Sequence, residues 1–265
     1  MRAFVEGIGL VGPGLNSWQA SRALLAGAQA YRPAPTSVAA SALLPAVERR
    51  RAGMPVKLAL AAGSEAIAGA GRDAASLASV FTSSSGDCDN VHAMCESLAT
   101  PERQVSPTRF HNSVHNAAAG YWSIATQCRA ASTSLCCYDA SFGAGLLDAA
   151  SQVAAEGSPV VLIAYDHPYP APLGVARPVS ASFGAALVLV PQASAGAIAC
   201  LDIEFEPRQA AASRMQDAAL EALRAGVPAA RCLPLLAAIA RGPRETVILE
   251  LVAQTHLRIA VSPCA

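Results

Sequence analysis

Residues Ala119–Ala150 read AGYWSIATQCRAASTSLCCYDASFGAGLLDAA. The stretch divides into a helix, a strand of small residues over Ala131–Tyr138, and a sharp turn into a second helix over Ser141–Glu156. A strand-to-helix turn of this kind is where many acyl-transferring folds mount their nucleophile, because helix N-terminal amides and the dipole favour an anion there. This turn offers Asp139, with Cys136 and Cys137 just before it. A carboxylate so placed is a good helix cap, or a polar contact across an interface, and a poor nucleophile toward a thioester. The two cysteines alternate along the strand and face opposite ways. They read as small buried side chains. The sharper reading, a relocated acyl-accepting thiol, lacks the helix-terminus activation that lowers a thiol's pKa.

Outward from this stretch the alternation continues. Pro159–Tyr165 is a short apolar run, as expected of a strand covered on both faces. Phe183–Val190 and Ile198–Phe205 read as a closing hairpin. Upstream, Ala3–Val11 reads as a strand that ends in a Gly12-Pro13-Gly14 turn, with Asn16 or Ser17 capping a helix through Gly27. Residues 31–47 read as loop. A helix is expected from Pro55 to Gly71, a strand over Ser79–Ser83 and a helix over Asp89–Leu98. Ser106–Phe110 reads as extended and His111–Gln127 as one Ala- and Gly-rich helix. Downstream, Gln209–Ala225 and Pro228–Arg241 read as helices, Glu245–Ala253 as a strand and Leu257–Val261 as a short one. Strands alternating with helices predict an α/β layered domain.

Composition narrows the function. Hydrophobic residues make up 53% of the 265 positions and charged residues 14%, enough for a large core and too few charges for disorder. The net charge of zero argues against nucleic acid as a partner. So weakly charged a surface is expected to be partly buried in an oligomer. No apolar run is long enough for a membrane span, and the N-terminus, with one Arg and then Glu6 inside its apolar run, lacks a signal-peptide design. A cytoplasmic protein with its eight cysteines reduced is expected. Asp87, Cys88, His92 and Cys95 lack a second ligand pair downstream, so neither metal nor cofactor is expected. His111 and His115, four apart, fall on one helical face beside Asn112 and Asn116 and read as interface residues. Asp166-His167-Pro168 reads as a strand-exit loop with no serine or cysteine nucleophile beside it.

Several pieces run in one family's order. They are Gly7-Ile8-Gly9 with Gly12-Pro13, the run Arg49–Arg51 before the Pro55 helix, and Phe81-Thr82-Ser83-Ser84-Ser85-Gly86. Ser106-Pro107, Asn116, Ala119-Gly120, Ile124, the helix Ala140–Ala150 and the strand Val160–Tyr165 follow. In this order and spacing the chain resembles the N-terminal half of β-ketoacyl synthases, the thiolase-fold condensing enzymes, over roughly residues 1–205. The resemblance implies a layered α-β-α fold. It divides the chain into a ketosynthase-like domain over residues 1–206 and an extension over residues 207–265 packed on it.

In active members a cysteine on the turn carries the acyl chain, and two histidines in the C-terminal half assist. Gapless matching from Gly120 puts Asp139 on the cysteine's place, and a shift of one residue puts Ala140 there. His256 sits in no matching motif, and His111 and His115 lie on the wrong side of the turn. The family's acidic, arginine-containing stretch before Phe183 is replaced by Leu173-Gly174-Val175-Ala176-Arg177-Pro178-Val179-Ser180. These departures, with the segments Ser106–Asn116 and Tyr138–Phe142, resemble the chain-length-factor-like partners of ketosynthases, including short members of aryl polyene and xanthomonadin systems. The resemblance implies no catalytic residue of the chain's own. It implies a heterodimer with a full-length β-ketoacyl–acyl-carrier-protein synthase, seamed along Ala131–Tyr138. Phe110, His111, Asn112, His115, Asn116, Tyr138, Asp139 and Phe142 would then lie at the seam or the acyl tunnel, with Phe110 limiting chain length by its bulk. Acyl carrier protein is a further partner, for which Arg49–Arg51 offers a basic face, although such a run is also an ordinary solvated one. Two other readings remain: an acyl-transferring enzyme using Cys136 or Cys137, and a homodimeric scaffold that binds acyl carrier protein.

Overall fold

The computed structural model describes residues 1–207, 210–252 and 255–264. Its elements in chain order are β1 (Arg2–Val11), α1 (Trp18–Leu25), α2 (Ala46–Arg51), α3 (Met54–Ala70), β2 (Ala78–Thr82), α4 (Cys88–Ala99), α5 (Pro107–Asn112), α6 (Ala117–Thr126) and β3 (Ser132–Leu135). Then come α7 (Ser141–Glu156), β4 (Val160–Asp166), α8 (Leu173–Ala176), β5 (Phe183–Val190), β6 (Ala199–Pro207), α9 (Ala218–Gly226), α10 (Leu233–Arg241), β7 (Glu245–Val252) and β8 (Thr255–Ser262). Among the described residues the strands form one eight-stranded sheet in the order β3-β2-β4-β5-β1-β6-β8-β7. The expected α/β layering is present.

β4 shows how the layers arise. Every residue of Val160–Asp166 is buried. Val161, Ile163 and Tyr165 join the core under α3 and α6, and Val160, Leu162 and Ala164 join the core around α7 and α10. Alternate side chains of one strand thus feed two cores, which is why the run is apolar without a break. On β1, Gly7 and Gly9 admit α3 so closely that a Cβ on either would collide with the carbonyls of Ala66 and Ala62.

Several sequence expectations are corrected. β5 and β6 are not a hairpin: each pairs antiparallel with β1, on opposite sides. Short apolar strands in succession suggest a hairpin, but β1 takes the central place, and Ile198 N–H donates to Val5 O at 2.7 Å as the chain crosses over. Pro107 opens the helix α5 where extended chain was expected, its missing N–H costing nothing in a first turn. The single helix expected over His111–Gln127 is broken at Ser113–Asn116. Ser113 Oγ donates to Phe110 O at 2.8 Å, competing with the helical ladder. β3 is shorter than expected, ending at Leu135. The arginine run lies inside α2.

In the C-terminal segment α9 begins only at Ala218, where Asp217 Oδ1 accepts from the N–H groups of Ala219 and Leu220 at 2.9 Å. Gln209, the expected start of that helix, and Ala253, the expected end of β7, lie outside the described residues. Pro228–Arg241 is split into a 3₁₀ turn and α10, because Pro234 cannot donate to the preceding turn. β8 is a full strand of eight residues. The sheet curls so that β3 and β7, its two edges, both pack on α7. Gly143 allows this, since a Cβ there would press on Glu250 O. No helix among the described residues is long and apolar enough to cross a membrane.

Candidate functional site at the strand-to-helix turn

The turn between β3 and α7 is tightly held. Tyr138 adopts left-handed backbone at φ 52°, a costly conformation for a bulky residue, and Tyr138–Ala140 form a 3₁₀ turn. Ser141 secures the entry to α7: its Oγ accepts from Cys137 N–H at 3.0 Å and donates to Tyr138 O at 2.7 Å. Thr82 Oγ1, at the end of β2, donates to Ser141 O at 2.7 Å. No side chain caps α7, so the reading of Asp139 as the helix cap is corrected; Ser141 ties the turn that leads into it.

Asp139 points to two arginines. Arg177 Nη2 donates to Oδ1 at 2.9 Å, and Arg231 Nη2 lies 3.3 Å from Oδ2. Arg231 is also ion-paired with Glu250 on β7. The Arg177 guanidinium stacks over the Tyr138 ring, 3.3 Å from its centroid. Burial works to lower the pKa of Arg177, but its hydrogen bonds to Asp139 and Tyr169 outweigh this and hold it above the ordinary arginine value. Burial lowers that of Arg231, with Arg224 and Arg177 adding repulsion and only partial relief from Asp139. The network fronts a cleft of about 440 Å³ walled by Cys137, Tyr138, Asp139, Arg231, Glu250 and His256. No sequence motif links these groups: Arg177 is 38 residues from Asp139, and Arg231 and Glu250 lie in the C-terminal segment.

Cys136 is exposed, contrary to its reading as a buried strand residue, and Cys137 is half-buried. Both follow the end of β3. Cys136 Sγ donates to Ser84 O at 3.1 Å and Cys137 Sγ to Leu251 O at 3.8 Å. His256 Nδ1 donates to Ala210 O at 3.0 Å.

The other expected site residues divide by burial. Phe110 is 64% exposed and Tyr138 60%. His111 and Asn116 are exposed, and His115 is half-buried with Nε2 donating to Ser83 O at 3.2 Å. His115, Asn116 and Gly120 share an open cleft with Ser132 and Ser134 of β3, so α6 and the edge strand form one continuous surface. Asn112 is only 2% exposed: Nδ2 donates to Arg51 O at 2.9 Å, and Oδ1 accepts from the Tyr121 hydroxyl at 3.0 Å. Phe142 is 1% exposed and packs in the α7 core. Neither of these two presents its side chain to the surface.

Asp166 is fully buried, which makes it a hub and not a loop residue. Ser83 Oγ, Ser84 N–H and Ser84 Oγ donate to Oδ1 at 3.2, 2.9 and 2.7 Å, and Ala229 N–H donates to Oδ2 at 2.8 Å. Burial pushes its carboxyl above the usual range, and these donors pull it back. A charged residue ending an otherwise apolar strand was the signal for this role. His167, for which the sequence offered no hydroxyl neighbour, has Nδ1 2.7 Å from Ser182 Oγ and Nε2 3.4 Å from Asp89 Oδ2. The pair sits one residue beyond the Asp166–Phe183 register and ties the two ends of the β4–β5 connection. Among the described residues no group of three His, Cys, Asp or Glu could hold a metal ion.

The β-ketoacyl synthase N-terminal domain profile matches residues 17–247, which span the turn and both cores. This chain belongs to the β-ketoacyl synthase family. A search of curated proteins found no match. Among solved structures, a chain of the complex of the ketosynthase ApeO with its chain length factor ApeC from Xenorhabdus doucetiae is similar over 98% of this chain and 99% of that one, at 19% identity and a TM-score of 0.74. The ishigamide ketosynthase/chain length factor is similar over the whole of both chains at 16% identity, TM-score 0.74. A chain of the AntDE:AntF complex, a type II polyketide acyl carrier protein with its ketosynthase, is similar over 99% of both chains at 11% identity, TM-score 0.77. At such identities these likenesses establish the thiolase-like fold.

Proposed function

We propose that this chain is a non-catalytic ketosynthase-like subunit: a chain-length factor that pairs with an active β-ketoacyl–acyl-carrier-protein synthase in the cytoplasm and shapes its acyl tunnel in polyene- or polyketide-type biosynthesis, aryl polyenes in particular. One observation carries the reading. The turn that seats a thiol in active members bears Asp139, whose oxygens are engaged by Arg177 and Arg231. A carboxylate so committed attacks no thioester. The edge strand β3 and the exposed Phe110, His111, Asn116 and Tyr138 would form the seam. Residues 207–265 act as an extension of the ketosynthase-like domain, closing its α7 core. Acyl carrier protein docks on the assembled pair.

Co-expression with the ketosynthase encoded beside it tests the pairing. Co-purification at one-to-one stoichiometry and loss of product on deletion are expected. Failure to co-purify, with full product in the deletion strain, would sink the reading, and a lone homodimer binding acyl carrier protein would install the scaffold in its place. The exposure of Cys136 favours one second reading, acyl transfer through Cys136 or Cys137. Acyl thioester presented to the isolated chain should leave its intact mass unchanged; an acyl adduct lost in Cys136→Ala or Cys137→Ala would establish that enzyme.

A further inference from the structure

The two arginines that meet Asp139 have other supports. Arg177 stacks on Tyr138, and Arg231 is ion-paired with Glu250. They come from separate segments, the β4–β5 connection and the turn before α10, yet converge on one carboxylate at 2.9 and 3.3 Å. Arg231 Nε and Glu250 Oε2 are both buried without a hydrogen-bond partner. With Asp139 and Glu250 present, two acids balance two guanidiniums; without Asp139 one half-buried positive charge is left over. Arg231 lines the cleft of about 440 Å³ and Arg177 a neighbouring one of about 160 Å³, with Asp139 in the wall of both; guanidiniums so converging are carboxylate-recognition chemistry.

We propose that Arg177 and Arg231 form a carboxylate-binding site at this turn, that Asp139 is its resident occupant, and that the site, once vacated, takes a small carboxylate or an acyl group ending in one. Tethering gives Asp139 a high effective concentration, so the native cleft is closed to anionic acyl groups. This rests on the reading of the turn as a silenced nucleophile seat and adds the substrate class from which it is shut off.

The test uses the isolated full-length chain. Formate and acetate are titrated into Asp139→Ala at constant ionic strength, with chloride as the balancing salt, and thermal unfolding is followed. A saturable rise in melting temperature is expected, about 3 °C at roughly ten times the dissociation constant. It should be absent from the unsubstituted chain and abolished in Asp139→Ala combined with Arg177→Gln. No saturable rise in Asp139→Ala, or an equal rise in the unsubstituted chain, overturns the proposal. If Asp139→Ala does not fold, Asp139→Ser removes the carboxylate and leaves its space open, and the same two results decide. Because no ketosynthase takes part, failure of anion binding and failure of pairing are separate outcomes.

Discussion

At the scale of single residues, charges inside this fold are placed where they tie distant segments together. Glu6, within the buried strand β1, is ion-paired with Arg72 just beyond α3, and its Oε1 accepts from Ser194 Oγ at 2.6 Å. The Arg72 guanidinium holds the Glu6 carboxyl below the usual range, against the opposing pull of burial. A depressed carboxylate contributes stability that is present above the unfolded-state value, near pH 4.3, and is lost as pH falls through the folded value. Urea unfolding of Glu6→Gln should therefore show lower stability than the unsubstituted chain at neutral pH. The gap should narrow as pH drops below about 4.3; a gap independent of pH would refute the assignment. The same residue marks a limit of sequence reading. Glu6 was visible as an interruption in an apolar run, but its partner lies 66 residues away and no local pattern announces it. Asp139 is alike: its unusual identity was legible from the turn, while the arginines that define its chemistry come from segments brought close only by the fold.

At the scale of elements, legibility followed how far each segment's burial is local. β4 and α7 were readable because one is apolar throughout and the other is bounded by Ser141 and Gly157. The place of β1 between β5 and β6 was not, since strand order is a long-range property that a hairpin-like succession conceals. The break between α5 and α6 was missed because a serine side chain, and no proline or glycine, ends the first helix. That break sets what Phe110 presents to its surroundings. It leaves Phe110 on a short helix with its ring in solvent while Asn112, two residues on, anchors the same helix to Arg51. Phe110→Ala should thus cost the isolated chain less than about 0.5 kcal/mol, as surface substitutions do. In the proposed pair with a ketosynthase it should lengthen the acyl product, read by mass spectrometry of the released chains. An unchanged product spectrum would remove Phe110 from the tunnel.

At the scale of the molecule, the described residues beyond β6 are bound into the rest by shared burial. Leu220, Leu233, Leu236, Ile239, Leu249 and Ile259 lie in one core with Leu146, Leu162 and Leu187. Ending the chain at Glu206 would expose that face of the sheet, at about 25 cal/mol per Å² of apolar surface. The truncated chain should be insoluble; a soluble, cooperatively folded product would show the extension to be dispensable.

Asp166 adds an order to events during synthesis. Three of its donors are made before β4 itself, but the fourth, Ala229 N–H, follows 63 residues later. A nascent chain that has finished β5 thus holds a carboxylate short of one donor, and a core around α7 that still lacks the apolar side chains of α10 and β8. The Asp166 hub is therefore complete only once synthesis has passed Ala229.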